Sequence, residues 1–325
     1  IHSTALGPAA GGTRFKPYAT DNMALDDALR LSRAMSYKSA LAGLPIGGGK
    51  AVIIGDPHAL KSSRLLKKFG EFLDRIGNVF STGEDVGISV ADVEVMNSVT
   101  PYVAGTSSGA GDPSIHTATG VMHGLRAVTE FRFARADFDG MNIAVQGLGS
   151  VGWRIAQHLH EAGARLVVAD VDEAKVAKAQ REFDADVMPA DEIHAAEVDI
   201  LCPCALGGVI NRNTIPNIKA LAVAGAANNQ LGSPDAGKLL YERGILFAPD
   251  YVINAGGVIS GLEAIQAMPG RKAIAIAPME ERLSKIRNRL LEIFTKSDDL
   301  DFPPEIIAQT LAQELIGRHP AMQLA

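Results

Sequence analysis

The fold of this chain is decided by the stretch Ile143-Ala144-Val145-Gln146-Gly147-Leu148-Gly149-Ser150-Val151-Gly152, which runs into a helix-like segment from Trp153 to Ala162. Its first four residues are typical of a short buried strand. A G-x-G-x-x-G spacing between a strand and a helix is typical of the loop that binds the pyrophosphate of a dinucleotide. The glycines allow a tight turn and close approach of the ligand, and the helix N-terminus faces the phosphates.

An acidic residue, Asp170, ends the next apolar run, residues 166–169. A carboxylate at this point accepts hydrogen bonds from the adenosine ribose hydroxyls and repels a 2′-phosphate. No arginine follows it directly, since the next residues are Val171-Asp172-Glu173. The sequence therefore predicts a NAD site at the glycine loop and Asp170. The alternative is a glycine-rich turn in some other α/β fold.

The order of apolar runs and helix-like segments predicts an α/β protein with two domains. Residues 1–115 are expected to form an N-terminal α/β domain for substrate binding and oligomerisation, and residues 116–279 a Rossmann-type, doubly wound dinucleotide-binding domain. The C-terminal helices, about 280–325, are expected to pack back on the first domain, with a polar break at residues 297–299. A Gly/Ser-rich segment, 106–113, is a predicted linker. The predicted strands of the second domain are residues 142–147, 165–170, 199–204, 221–225 and 245–248.

Composition narrows the class of protein. The chain has 325 residues, 47% of them apolar, and a net charge of −6. This length exceeds a typical single core, and the acidic charge without a basic stripe argues against nucleic-acid binding. With no apolar run of spanning length and no signal peptide, we expect no membrane partner and a cytoplasmic location. Two cysteines, Cys202 and Cys204, without clustered histidines predict reduced thiols and no metal site.

Two lysines, twelve positions apart, indicate chemistry in the first domain. Lys38 closes Met35-Ser36-Tyr37-Lys38, and Lys50 closes Leu44-Pro45-Ile46-Gly47-Gly48-Gly49-Lys50. A lysine after a Gly-rich apolar turn is desolvated, which disfavours its charged form and can bring its pKa towards neutrality. On spacing alone, two surface lysines around an ordinary turn are an equal alternative.

Seven blocks in matching order resemble the Glu/Leu/Phe/Val dehydrogenases, which are NAD(P)-dependent amino-acid dehydrogenases. The resemblance covers nearly the whole chain and is greatest to the leucine and phenylalanine dehydrogenase branch. It implies reversible oxidative deamination of an amino acid to the 2-oxo acid and ammonia, with NAD as the cofactor. It also implies a homo-oligomer, a dimer or an octamer. The blocks are residues 7–14, the two lysine motifs counted together as one block, 84–87, the glycine loop, 203–207, 225–230 and 248–257.

The resemblance also assigns roles to single residues. Lys38 is expected to bind the substrate α-carboxylate, together with Asn254 and the backbone of Gly11 and Gly12. Lys50 is expected to activate the hydrolytic water, while Asp85 carries a proton to and from the substrate nitrogen. The alternatives are a solvated loop carboxylate for Asp85 and a purely structural turn for Asn254. Residues expected near the nicotinamide, with packing roles as the alternative, are Thr117, Ala205 and Asn229.

The substrate class follows from charge and size. Glutamate dehydrogenases have a lysine and a serine where this chain has Ala10 and Gly261, and an unpaired side-chain carboxylate would be costly to bury here. Leucine dehydrogenases typically have bulkier residues at both positions and alanine in place of Gly83. The sequence thus predicts a wide apolar pocket, also lined by Met35 and Val258, for an aromatic or branched-chain amino acid. The alternatives are a leucine- or valine-preferring enzyme and a non-catalytic ligand-sensing relative.

Overall fold

The computed structural model describes residues 1–106, 112–271 and 274–317, and divides into two compact units. The first unit comprises residues 1–113, 258–277 and the described residues from 311 onward, and the second comprises residues 114–257 and 278–310. Most of the predicted linker, residues 107–111, lies outside the described residues. No helix in the described ranges is long and apolar enough to cross a membrane.

The first unit is built on short parallel strands covered by helices. One sheet has the strand order β3 (Gly47–Gly48), β1 (Ala9–Ala10) and β5 (Phe80–Ser81), and the other pairs β2 (Thr13–Lys16) with β4 (Ala51–Ile54). Ala9 pairs with Gly47 and Thr13 pairs with Ala51, so the register is the same on both sides of a break between β1 and β2. In chain order the elements are β1 (Ala9–Ala10), β2 (Thr13–Lys16), α1 (Asp21–Leu41), β3 (Gly47–Gly48), β4 (Ala51–Ile54), α2 (Pro57–Leu60), α3 (Ser63–Ile76), β5 (Phe80–Ser81) and α4 (Val90–Asn97).

The second unit is a parallel sheet with helices, as the sequence predicted, and it has six strands because Asp186–Val187 adds one to the five predicted. Its elements are α5 (Pro113–Phe133), β6 (Asn142–Gln146), α6 (Ser150–Glu161), β7 (Arg165–Ala169), α7 (Glu173–Phe183), β8 (Asp186–Val187), β9 (Ile200–Pro203), β10 (Ala222–Val223), α8 (Ala236–Glu242), β11 (Leu246–Phe247), α9 (Asp250–Ile253), α10 (Gly256–Gln266), α11 (Met279–Leu300) and α12 (Pro304–Gly317). From Val258 onward α10 is assigned to the first unit, and so is α12 from Leu311.

The strand order of this sheet, β11-β10-β9-β6-β7-β8, defines where a ligand can bind. The chain leaves β6 towards β7 and β8, and then returns to β9 on the other side of β6. Such a switch point opens a crevice at the carboxyl ends of the two central strands. Strand β6 is apolar throughout its middle, with Ile143, Ala144 and Val145 fully buried, because both faces of a parallel sheet are covered.

Helix α11, the first of the two helices near the C-terminus, differs from the prediction in two ways. It continues through residues 297–299 to Leu300, and Ser297 is buried with its hydroxyl donating to the Phe302 carbonyl (2.5 Å). It also lies in the second unit, whereas the sequence analysis put it with the first. The reason is close packing on α5, where Ile286 and Leu290 side chains fill the space beside Gly120 and Gly124.

Candidate active site

The site in the first unit lies where two short strands are interrupted. One interruption is Gly11-Gly12, between β1 and β2, and the other is Gly49-Lys50, between β3 and β4. A Cβ on Gly11 would overlap the carbonyl oxygen of Gly49, and a Cβ on Gly12 would overlap that of Glu84. Only glycine allows backbones to approach this closely. This close approach of the two backbones brings Lys50, which directly follows Gly49, beside the Gly11-Gly12 pair.

The amine of Lys50 forms an ion pair with Oδ2 of Asp85, and these side chains are only 9% and 14% exposed. Burial lowers the pKa of Lys50 to about 7, helped by the charges of Arg14 and Lys38 and opposed by that of Asp27. The contact with Asp85 also opposes the shift, because an opposite charge favours the charged amine. Lys50 can therefore exchange a proton near neutral pH, as a general acid or base must.

Asp85 is held by a segment that runs alongside β2. Thr13 donates its backbone N–H to the Gly83 carbonyl (3.0 Å), and Phe15 donates to the Val86 carbonyl (2.8 Å). The Asp85 Oδ1 atom accepts the Val86 N–H (2.7 Å). The carboxylate is thus oriented by the backbone on one side and faces Lys50 on the other.

Arg14 joins this pair to a second carboxylate. Its Nη2 lies 3.4 Å from Asp85 Oδ1, and its Nη1 lies 2.9 Å from Asp27 Oδ2. Asp27 also accepts hydrogen bonds from the Tyr18 hydroxyl (2.7 Å) and Arg30 (2.9 Å). No role was predicted from the sequence for Arg14, Asp27, Tyr18 or Arg30. The available signal was the position of Arg14 directly after Gly-Gly-Thr.

Helix α1 contributes Met35 and Lys38, which lie three positions apart and therefore on one helix face. A Cβ on Gly11 would be 3.3 Å from the Met35 Cγ atom, so Met35 packs at the glycine pair. Lys38 is half-buried, and its charge acts on Lys50. The structure thus brings together Lys38, Lys50, Asp85, Met35, Gly11 and Gly12 in one unit.

The residues predicted to line the side-chain pocket differ in the space around them. Ala10 is buried in β1. A Cβ on Gly83 would lie 2.8 Å from the Ala104 carbonyl oxygen, so its missing side chain leaves no open space. A Cβ on Gly261 would meet nothing within 4 Å. Val258 and Gly261 lie in the part of α10 that is assigned to the first unit.

The glycine loop of the second unit fits a dinucleotide. Gly147 has a φ of 99°, and a Cβ there would lie 2.7 Å from that of Ala205, while a Cβ on Gly152 would overlap the Gly147 carbonyl. Helix α6 begins at Ser150, and both Ser150 and the N-cap Gly149 are exposed, whereas Val151 is half-buried. Exposed N–H groups at a helix N-terminus bind phosphate well.

Asp170 follows β7 directly and contacts the same loop. Its Oδ2 accepts the Leu148 N–H (2.6 Å), and its Oδ1 accepts the Asp172 N–H (2.9 Å). Burial tends to raise the pKa of Asp170, but these backbone hydrogen bonds outweigh it and hold the pKa below its ordinary value. The carboxylate is therefore ionised at neutral pH beside the phosphate-binding loop.

The remaining predicted cofactor residues also lie in the second unit. Ala205 is exposed and packs on Gly147. Asn229 has a φ of 52°, and its carbonyl accepts the Gly208 N–H (2.8 Å). Thr117 lies in the first turns of α5, where its Cα would be 2.8 Å from a Cβ on Gly256.

Asn254 is buried at the end of α9 in the second unit. Its amide donates to the Ala226 carbonyl (3.1 Å) and to Asn228 Oδ1 (2.9 Å). Both N–H donors of one amide can be satisfied in this way. Binding of a substrate carboxylate by Asn254 would therefore require one of these hydrogen bonds to be exchanged.

The two thiols, at Cys202 and Cys204, are free and their Sγ atoms lie 3.6 Å apart. Residues two apart in an extended segment share a face, which accounts for the contact. Among the residues that the structure describes, no three His, Cys, Asp or Glu side chains are grouped to hold a metal ion.

Comparison with known proteins assigns the family. A model described as "Glu/Leu/Phe/Val dehydrogenase, dimerisation domain" matches residues 1–108, and one described as "Glutamate/Leucine/Phenylalanine/Valine dehydrogenase" matches residues 168–299. The chain belongs to the Glu/Leu/Phe/Val dehydrogenase family. It is thus an amino-acid dehydrogenase, an oxidoreductase of a family that uses a nicotinamide nucleotide.

Individual members of the Glu/Leu/Phe/Val dehydrogenase family are similar over nearly their whole length. A leucine dehydrogenase from Geobacillus stearothermophilus is 42% identical over 99% of this chain and 89% of the relative. A valine dehydrogenase from Streptomyces virginiae is 44% identical over 97% and 88%. The crystal structure of an L-tryptophan dehydrogenase from Nostoc punctiforme superposes with a TM-score of 0.86, at 42% identity over 99% of this chain and 92% of that one.

Proposed function

We propose that this dehydrogenase catalyses the reversible, NAD-dependent oxidative deamination of an apolar L-amino acid to the 2-oxo acid and ammonia. The observation that carries the proposal is the largely buried Lys50–Asp85 pair, in which the lysine has a pKa of about 7. Amino-acid oxidation needs two proton carriers beside the reacting carbon, and this pair supplies an amine and a carboxylate in contact.

The residues predicted to bind or act on the substrate each have a role in this proposal. Lys38 binds the substrate α-carboxylate as a point charge, with the Gly11-Gly12 backbone beside it. Lys50, in its neutral form, takes a proton from the water that attacks the imino carbon. Asp85 moves protons to and from the substrate nitrogen, and Asn254 assists with the carboxylate. A bound nicotinamide dinucleotide would supply the hydride acceptor.

The substrate in this proposal has an apolar side chain. Ala10 and Gly261 offer no charge or hydrogen bond to a second carboxylate, and Met35 and Val258 are apolar. The relatives described above are named for leucine, valine and tryptophan, which are all apolar. An aromatic or branched-chain substrate follows, and a leucine- or valine-preferring enzyme is the closest alternative.

The test is a substrate panel at alkaline pH, in which NADH formation is followed with phenylalanine, tryptophan, leucine, valine and glutamate. We expect turnover with at least one apolar amino acid and little with glutamate. Glutamate as the best substrate would contradict the proposed pocket. Calorimetric binding of an apolar amino acid without turnover on any of the five would favour a non-catalytic, ligand-sensing relative.

For the cofactor we propose NAD rather than NADP, held by Gly147, Gly149, Ser150, Val151, Gly152 and Asp170, with Thr117, Ala205 and Asn229 near the nicotinamide. The support for this choice is the ionised carboxylate of Asp170 at the end of β7. A 2′-phosphate beside it would meet like charge. We also propose a homo-oligomer, a dimer or an octamer, and a cytoplasmic location; the description of residues 1–108 as a dimerisation domain supports self-association.

Replacing Asp170 with alanine is expected to weaken NAD binding and to relax discrimination against NADP, each by roughly tenfold, because about 1–2 kcal/mol of charged hydrogen bonding is lost. The ratio of kcat/KM for the two cofactors measures this effect. Asp172→Ala, which removes a nearby carboxylate that caps α7, is the control and should leave the ratio unchanged. A wild-type enzyme that prefers NADP would contradict this reading of Asp170.

A further inference from the structure

Arg14 is a partly buried arginine whose two terminal nitrogens bridge two carboxylates on different elements. Nη1 contacts Asp27 on α1 at 2.9 Å, and Nη2 contacts Asp85, after β5, at 3.4 Å. The side chain of Arg14 is 16% exposed and that of Asp27 is 11% exposed. A planar guanidinium can hold two acceptors in fixed directions, which a lysine ammonium cannot do as well.

The far end of the bridge is itself fixed. Asp27 accepts from the Tyr18 hydroxyl and from Arg30 as well as from Arg14. Burial and the hydrogen bond to Asp27 raise the pKa of Tyr18 to about 12, so its hydroxyl remains a donor at any working pH. Arg14 is therefore anchored at one nitrogen and can orient a carboxylate with the other.

Among the residues that the structure describes, four charged groups act on the Lys50 amine. They are Arg14 on β2, Asp27 and Lys38 on α1, and Asp85 in the segment after β5. Arg14 and Lys38 are positive and the other two are negative. Each charge thus shifts the pKa of Lys50 in a known direction, which substitution of that residue can test.

We propose that Arg14 is a positioning residue, which fixes the Asp85 carboxylate against Lys50 and keeps a permanent positive charge beside that amine. The role in turnover rests on the proposed function, whereas the effect on Lys50 does not. The charge disfavours protonated Lys50, so the neutral amine is available to accept a proton from water near pH 7. The contact from Arg14 Nη2 occupies Asp85 Oδ1, which leaves Oδ2 facing Lys50.

The first measurement does not depend on turnover. Competitive labelling of Lys50 with a small acylating reagent over a range of pH, quantified on the Lys50 peptide by mass spectrometry, gives the midpoint for deprotonation. We expect a midpoint near 7 in the wild type. In Arg14→Met it should rise by about one pH unit, because a neighbouring positive charge is lost.

The Asp27→Asn variant should shift the Lys50 midpoint in the opposite direction. It removes a negative charge that favours protonated Lys50, so the midpoint should fall. Both variants remove one member of the same network, and a merely structural role would move the midpoint in one direction or not at all. An unchanged midpoint in folded Arg14→Met, or a rise in Asp27→Asn, would overturn the proposal. If Arg14→Met does not fold, Asp27→Asn alone decides.

The second measurement is the pH profile of kcat. Arg14→Met should lose activity about tenfold below pH 7, where Lys50 is now protonated, and much less at alkaline pH. Arg14→Lys keeps the charge but not the two-carboxylate bridge, so it should keep the midpoint and lose kcat at every pH. Lys61→Met removes a comparable ion pair with Asp92 away from the site and should leave the profile in place. A wild type without turnover would refute the proposed function, yet the labelling result would still stand.

Discussion

Lys50→Ala is expected to lower the turnover of amino-acid oxidation by roughly a thousandfold, within the 10²–10⁴ range typical of a lost general acid or base. Affinity for NAD should remain within about twofold, because the glycine loop and Asp170 belong to a unit that does not contain Lys50. Turnover measured at saturating amino acid, together with the fluorescence of bound NADH, separates the two effects.

Two further variants show whether the proton or the charge of Lys50 matters. Lys50→Arg keeps a positive charge beside Asp85 but cannot release a proton near pH 7, so it should be nearly as inactive as the alanine variant. Lys68→Ala, which removes an exposed lysine from α3, is the control and should be fully active. Near-normal turnover in Lys50→Ala would remove Lys50 from the mechanism, and an active Lys50→Arg would reduce its role to charge alone.

The parts of this fold that the sequence predicted are those whose residues lie close together along the chain. The strand, glycine loop and helix around Gly147 are contiguous, so their identity could be read from spacing. The same holds for Asp170 at the end of the next strand. Helix α11 was predicted to stop at residues 297–299 because the polar run resembles a break, but Ser297 is buried and bonded to Phe302, and the helix continues.

The parts that the sequence did not predict depend on packing between distant segments. Arg14 meets Asp85 across 71 positions and Asp27 across 13, and no periodicity marks these pairs. The carbonyl that fills the space beside Gly83 comes from Ala104, in a segment that the motifs did not include. Sequence spacing could thus identify Lys50 as a candidate but not the charges that act on it.

The contrast between Gly83 and Gly261 makes the substrate pocket testable. Gly261 lies inside α10 with open space where a side chain would begin, so Gly261→Val should fold. If it faces the substrate, the added methyl groups should lower kcat/KM for phenylalanine roughly tenfold or more while sparing leucine and valine, since a methylene in an apolar pocket is worth about 1–3 kcal/mol. The ratio of kcat/KM values across the substrate panel measures the change.

Gly83→Ala is the matched comparison, because its Cβ would lie 2.8 Å from the Ala104 carbonyl oxygen and the backbone would have to move. Overpacking of this kind costs about 1–3 kcal/mol and should reduce thermal stability and activity on all substrates together. A selective loss in Gly261→Val beside a uniform loss in Gly83→Ala would place the substrate side chain at α10. Uniform losses in both would mean that Gly261 is needed for its backbone. The preference for aromatic over branched-chain substrates would then rest on Ala10 alone, and one small residue does not determine the width of a pocket.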